Sequence, residues 1–440
     1  MRMQIRNRGL SRRYDAAPPP SGERTLLQTS DFTYLGRWFF PGTITGEFHF
    51  GLGHFAAKYV GGNLRFYSKG AAGGVNYTYS FENPGFSNTA TIITSYHNDE
   101  IYGNPSKLLI ADNGDNVEFC SFFFDEAGVL WTTYSTEYEG TNHNPCLMAS
   151  VLSEAPGTGT ATTYGPWRCT LHSAMSAGCL SNVPSWVRST HGFDPVINVS
   201  GMRVQNAASS WGMSYQSLTL PSLGSTPDPV GNQSVRSITS RLLAHHTISD
   251  PEPRTTNFDL CDGYTAAPAT PATNFWGGGG QILDWVDQGI WIDNGTKHGI
   301  VGMGQWIDAI PGYDYPGSDT KPHSWYGPDT CAHGHVATPL YQATGPAATT
   351  VVDMLYISDP MNAISVKNGL MAPGANNLAS HAQLPEISSY PFSARRDTLD
   401  KVGGMFFDAT TNLLYVSFKL SYVNGIGHFP PFMAVFSVAT

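Results

Sequence analysis

Charge is what this sequence has least of: only 13% of its 440 residues are Asp, Glu, Lys or Arg, about half the usual share. A surface so poor in charge is solubilised by hydroxyls and amides. Cysteine is scarce too, with six residues, Cys120, Cys146, Cys169, Cys179, Cys261 and Cys331. None makes a C-x-x-C pair, which argues against a zinc ribbon or a thioredoxin-type site. Six are also too few for a disulfide scaffold, so buried free thiols are expected, with Cys169 and Cys179 close enough for one local bridge in an oxidising compartment. No run of about 18 apolar residues exists, so no transmembrane helix is expected.

Other absences concern chemistry. The chain has no G-x-S-x-G elbow, no H-E-x-x-H and no P-loop. The glycine run "WGGGGQ" (276–281) lacks the Lys and Ser/Thr that grip phosphate. No S-x-D-x-G-x-x-W box of sialidase-type propellers occurs. A glycosidase or lyase is not excluded by this, because its carboxylates, His and Tyr lie far apart in sequence. Helical patterns are few: "SITSRLLAHHTIS" (237–249) has some helical spacing, and "EISSYPFSARRDTLDKV" (386–402) is interrupted by Pro391. Helix is therefore expected in less than roughly a tenth of the chain, against an average near a third.

What is present is turn and strand chemistry. Gly (47) and Pro (30) are plentiful, hydrophobic residues make 41% and aromatics 12%. One pattern recurs: "CSFFFDEAGVLWTTYSTEY" (120–138) matches "GGMFFDATTNLLYVSFKL" (403–420) as apolar run, Asp, short turn and aromatic-rich run. Both halves are too short for a helix and rich in residues that favour strands, which predicts a β-hairpin. Asp125 and Asp408 can accept bonds from the backbone two residues on, while Gly128 and Asn412 tolerate positive φ. Weaker copies are "HFAAKYVGGNLRFYS" (54–68), turning at Gly61-Gly62-Asn63, and "ILDWVDQGIWIDNG" (282–295), turning at Asp287-Gln288-Gly289. Hairpins of one design along a chain suggest repeated small antiparallel sheets.

The body starts at "LLQTSDFTYLGRWFFPG" (26–42) and ends in a strand, "FMAVFSVAT" (432–440). A closed ring of sheets has to join its ends, usually by lending an N-terminal strand to the last sheet. The predicted fold is all-β, a single β-propeller of about five to seven blades with long loops over residues 26–440. A tandem β-sandwich is the competing architecture. The phrases "SDFTYLGRWFFP", "FFFDEAGVLWTTY", "YGPW" (164–167) and "GGMFFDATTNLLYVSF" resemble uncharacterised propeller-like proteins of environmental bacteria and phages. That resemblance implies a fold and no reaction.

Residues 1–25 form a basic, Pro-rich arm with Arg2, Arg6, Arg8, Arg12, Arg13 and Arg24 and no apolar signal region. Such a segment is either an unstructured tail or an assembly arm that lies on a neighbouring subunit or an acidic surface. Without it the body holds 18 basic and 32 acidic residues, net −14, which argues against nucleic acid as the body's ligand.

The densest functional-looking stretch is 323–341, and it overlaps 310–329, where Tyr313, Tyr315, His323, Trp325 and Tyr326 sit among Gly, Pro and Asp. We expect an exposed face there for protein or glycan contacts. His333 and His335, with Asp329 and Cys331 nearby, have ligand chemistry but match no metal motif; His298 joins them only if two loops meet. No catalytic residue and no cofactor is assigned. His97, Asp99 and Glu100 in "YHNDEIYGN" could supply acid/base groups or calcium oxygens, and Glu137, Glu139 and His143 follow a repeat strand, although solvated loops account for both. Two readings of function follow. The favoured one is a non-enzymatic assembly or adhesion module of a phage virion, held through its arm to capsid or tail proteins. The other is a secreted carbohydrate-active hydrolase or lyase on a propeller scaffold.

Overall fold

The structure is a computed structural model that describes residues 24–41, 54–72, 75–97, 117–136, 147–153, 159–169, 178–200, 213–223, 236–245, 284–308, 350–383, 402–418, 421–423, 427–429 and 431–440. It is mainly β, with several four-stranded antiparallel sheets and one larger sheet curled into a half-barrel. The chain starts with β1 (Thr25–Leu26), makes a single 3-10 turn at Thr29–Asp31 and runs into β2 (Phe32–Phe39). A four-stranded meander follows: β3 (Phe55–Val60), β4 (Asn63–Ala72), β5 (Val75–Glu82) and β6 (Ile92–His97). The next sheet is β7 (Val117–Phe124), β8 (Leu130–Thr136), β9 (Leu147–Leu152) and β10 (Ala161–Cys169), and it gains a short parallel strand later in the chain.

The curled sheet has two four-stranded groups. In the first, β11 (Cys179–Asn182) leads through helix α1 (Ser185–His191) to β12 (Val196–Ser200) and β13 (Ser214–Leu218). After β14 (Arg236–Ile238), which is the parallel strand on β10, β15 (Ser240–Ala244) completes that group. The second group is β16 (Asp284–Asp293), β17 (Lys297–Asp308), β18 (Thr350–Ser358), helix α2 (Pro360–Lys367) and β19 (Leu378–Gln383). One pairing, Val199 with Gly289, joins the two groups, and β1 lies parallel on β17. The last sheet holds β20 (Val402–Asp408) and β21 (Leu413–Phe418) and, after the small hairpin β22 (Ser421–Val423) and β23 (Gly427–Phe429), β24 (Phe432–Val438). Its fourth strand is β2, paired from Phe32 with Val438 to Phe39 with Phe432. The lent N-terminal strand expected from the sequence is therefore present.

The repeated hairpin chemistry is also present. Asp125 Oδ1 accepts from the backbone N–H of Ala127 and Val129, both at 2.9 Å, and Oδ2 accepts from Trp131 Nε1 at 2.8 Å. Asp408 accepts from Thr410 N at 3.0 Å, from the Thr411 hydroxyl and from Tyr59 Oη at 2.8 Å. Gly61, Gly128 and Asn412 have φ of 60°, 80° and 57°, the left-handed conformation expected of Gly128 and Asn412 and found also in the Gly61 turn.

Two sequence expectations are corrected. Asp287-Gln288-Gly289 is not a turn: β16 runs through it with a bulge between Val286 and Gln288, and the hairpin turns at Asn294-Gly295-Thr296 instead. Gly289 serves close approach, since a Cβ there would lie 2.5 Å from Val199 Cγ1. The helical spacing in 237–249 falls on strands β14 and β15, whose apolar residues pack against neighbouring sheets. The two α-helices among the described residues are α1 and α2.

Five core clusters fill the spaces between consecutive sheets. Tyr67, Phe122 and Phe124 pack between the first and second sheets; Trp131, Trp167 and Leu180 pack between the second and the β11 group. Ile197, Trp291 and Tyr356 join the two halves of the curled sheet, and Ile292, Val301 and Val416 join it to the last sheet. The fifth cluster, with Trp38, Phe55, Phe66 and Tyr415, packs the last sheet on the first. The first strands follow the same circuit: β3 is beside β7, β7 beside β11, β11 beside β16, β16 beside β20 and β20 beside β3. Small residues sit where four of these strands approach one another, at Ala56 and Ala57 of β3, Ser121 of β7, Cys179 of β11 and Gly404 of β20.

Candidate functional site

The end of this circuit at which the first strands finish holds a cleft of about 450 Å³. Its walls come from Phe122–Phe124 of β7, Leu180–Asn182 of β11, Ile290 and Trp291 of β16, and Met405–Phe407 of β20. Polar side chains collect at one side, where Arg24, Ser185, Trp186, Asp293 and Asn294 line it.

The local sequence explains how that side is built. Asp293, Asn294 and Gly295 form the hairpin turn between β16 and β17, with Gly295 at φ 89°. Asp293 Oδ1 accepts from Gly295 N at 2.8 Å, the same turn bond made by Asp125 and Asp408. The parallel pairing of Thr25 with Lys297 and Leu26 with His298 sets Arg24 over this turn, and its Nε donates to Asp293 Oδ1 at 2.9 Å. Trp186 is presented by α1, which starts after Pro184 and ends at Gly192 in the left-handed conformation. Its Nε1 donates to Asp293 Oδ2 at 2.5 Å, and its ring lies 4.3 Å from the Arg24 guanidinium carbon. One carboxylate thus gathers a cation, an indole and a turn, in an ion pair whose side chains are 5% and 10% exposed.

His298 stands behind this group, 3% exposed, with its ring 5.8 Å from that of Trp186. Burial holds its pKa below the usual histidine value; the Asp293 and Asp359 carboxylates pull it up, and Arg24 adds to the lowering. The imidazole is thereby favoured in its neutral form. Its Nδ1, like Nη2 of Arg24, is buried and has no hydrogen-bond partner among the described residues. Cys179 lies deeper in the circuit as a free thiol rather than half of a bridge to Cys169; the Ser121 hydroxyl approaches it at 3.4 Å and burial pushes its pKa up.

Most residues singled out from sequence lie outside the described residues: Tyr313, Tyr315, His323, Trp325, Tyr326, Asp329, Cys331, His333 and His335, the arm arginines Arg2, Arg6, Arg8, Arg12 and Arg13, and also Asp99, Glu100, Glu137, Glu139 and His143. His298 is described, on β17, whereas His333 and His335, which it was expected to join if two loops meet, are not. Among the described residues, no three His, Cys, Asp or Glu side chains gather closely enough to hold a metal ion. At the other end of the chain's expected arm, Arg24 and Thr25 are bonded into the body.

Sequence reasoning missed Arg24, Trp186 and Asp293 as a group. The available signal was the turn aspartate, since "DNG" at 293–295 carries the same chemistry as Asp125 and Asp408. Nothing local marks Arg24 or Trp186, which lie 269 and 107 residues from Asp293.

No family model and no curated protein matches the chain. Among solved structures it is similar to a hypothetical protein from Leishmania major, with 10% identity, coverage of 92% of this chain and 90% of that one, and a TM-score of 0.28. It is also similar to a candidate glycoside hydrolase from Bacteroides ovatus, with 10% identity, coverage of 94% and 96%, and a TM-score of 0.34. Both likenesses are distant and assign the chain to no family.

Proposed function

We propose that this chain is a five-bladed β-propeller acting as a non-enzymatic binding module, with the cleft beside Asp293 as its ligand site. Five core clusters, one per gap between sheets and closing from last to first, support the blade number. A tandem sandwich would bury its residues between facing sheets in pairs, whereas here each sheet contributes to two clusters.

The observation that carries the binding role is the state of Asp293. It is the one carboxylate among the described lining residues, and it already accepts from Arg24, Trp186 and Gly295. A carboxylate so occupied orients its neighbours and is poorly placed to take a proton from a substrate. The buried Arg24 Nη2 remains as a donor for a ligand oxygen. The wider setting of this reading is assembly or adhesion on a larger particle, such as a virion, with the arm as attachment point; the five arginines that precede Arg24, opposite in charge to a body of net −14, support an arm that lies on the acidic body of a neighbouring copy or another acidic protein surface.

The test is to probe the purified full chain against a panel of soluble glycans, following binding and the release of reducing ends together. Binding without release is expected. Release of reducing ends that is lost in Asp293→Asn would overturn the reading.

A further inference from the structure

The charges that line the cleft cancel. Among the described lining residues the ionisable groups are Arg24 and Asp293, and they are paired at 2.9 Å. Their side chains are 5% and 10% exposed, so little water remains to screen a third charge. An anion entering here would meet Arg24 and Asp293 together and would lose its own hydration. A cation would find Asp293 already carrying three donors. A neutral oxygen meets neither obstacle, and Arg24 Nη2 is a buried donor with no partner among the described residues. Leaving such a donor unpaired is costly, so an acceptor placed on it gains more than an exposed hydrogen bond would.

The remaining walls specify the rest of the ligand. The phenylalanines of β7, Leu180, Ile290 and Met405 offer apolar surface, while Arg24, Asp293 and Asn294 supply polar groups together with Ser181 and Asn182 of β11 and Ser185. A ligand that matches has one edge of oxygens and one face of C–H groups, within a volume at the lower end of small-molecule pockets. That is the surface of a sugar ring.

Resting on the binding-module reading above, we propose that the cleft takes one uncharged saccharide unit, with a hydroxyl, ring or amide oxygen accepting from Arg24 Nη2. Selectivity comes from the paired charges, which leave the cleft neutral, and orientation comes from Arg24 Nη2 together with Trp291 Nε1, a second buried donor of the lining with no partner among the described residues.

The test uses the full chain and named probes: glucose, galactose, N-acetylglucosamine and glucuronate, followed by intrinsic tryptophan fluorescence and by calorimetry. At least one neutral sugar should bind, with an affinity that changes less than twofold between 50 and about 500 mM salt, since no net charge is involved. Arg24→Lys keeps the pairing with Asp293 but lacks the Nη2 donor, and should weaken binding at least tenfold. Ser185→Trp, on an exposed residue at the mouth, should block binding while leaving the melting temperature in place; this variant keeps the test informative if Arg24→Lys unfolds. Glucuronate binding more tightly than every neutral probe, or neutral-sugar binding untouched by both variants, would overturn this inference while leaving a binding module intact. Reducing-end release from a glycan would instead sink the binding-module reading.

Discussion

A turn aspartate does two jobs in this protein. Asp125, Asp293 and Asp408 each accept backbone N–H groups of their own turn and an N–H or O–H from an aromatic side chain, namely Trp131, Trp186 and Tyr59. Trp131 thereby buries its ring without stranding its donor. Near Asp408, burial pushes the Tyr415 hydroxyl up to about 12, so this ring is neutral at any physiological pH. Trp131 is 1% exposed, so Asp125→Ala would leave a buried indole N–H unpaired along with two turn amides. We expect a loss of about 1–3 kcal/mol, measured by urea unfolding, and a smaller loss for Asp125→Asn, which keeps an acceptor oxygen. His298 gives a pH dependence of definite sign. Its folded pKa lies below 6.5, so the unfolded chain binds the proton more readily. Its contribution to stability is complete above pH 6.5 and declines as pH falls from there to the folded pKa, by up to about 1.4 kcal/mol per unit. Unfolding midpoints from pH 8 to 5 should be flatter in His298→Gln; an unchanged slope would exclude His298 as the source.

At the scale of elements, hairpins whose turns are made of adjacent residues were legible in the sequence, and one without such a turn was not. The β3–β4, β7–β8 and β20–β21 pairs follow the apolar-turn-apolar pattern directly. Between β11 and β12 the turn is replaced by α1, whose seven residues separate the strands and hide the repeat. In the β16–β17 hairpin Gly295 makes the turn and Gly289 allows close approach, and the sequence does not distinguish them because positive φ and close approach both select Gly. Gly289→Ala tests the close-approach role. The added methyl would meet Val199 Cγ1 at 2.5 Å and Val301 O at 2.9 Å, at the single pairing that joins the two halves of the curled sheet. Overpacking of this kind costs about 1–3 kcal/mol, and a melting temperature equal to that of the wild type would show that β12 and β16 can separate freely.

For the whole molecule the decisive contact is closure. β2 supplies the outer strand of the last sheet and brings Trp38, which is fully buried, into the cluster shared with the first sheet. Deleting residues 1–23 should leave the thermal midpoint within about 2 °C, because closure begins at Arg24. Deleting 1–39 removes the closing strand; loss of one large buried aromatic alone costs about 3–5 kcal/mol, a large part of a typical stability of about 5–15 kcal/mol. Differential scanning calorimetry of the two truncations separates these outcomes, and a stable fold after the longer deletion would refute closure through β2.

What the sequence determined by itself is local or end-to-end in kind. Turn aspartates that accept the backbone N–H two residues on, strand-forming runs, and a strand at each end of the body are all written in composition and spacing, because a hairpin's bonds form between residues close in the chain. Only the tertiary structure decided that Arg24, Trp186 and Asp293 meet, since their partnership depends on laying β1 along β17 and on bringing the helix between β11 and β12 to the β16–β17 turn within the curled sheet. Each of these residues would be as acceptable on the surface by its own propensity. Their shared burial is a property of the assembled sheets, and with it comes the neutral, donor-bearing cleft.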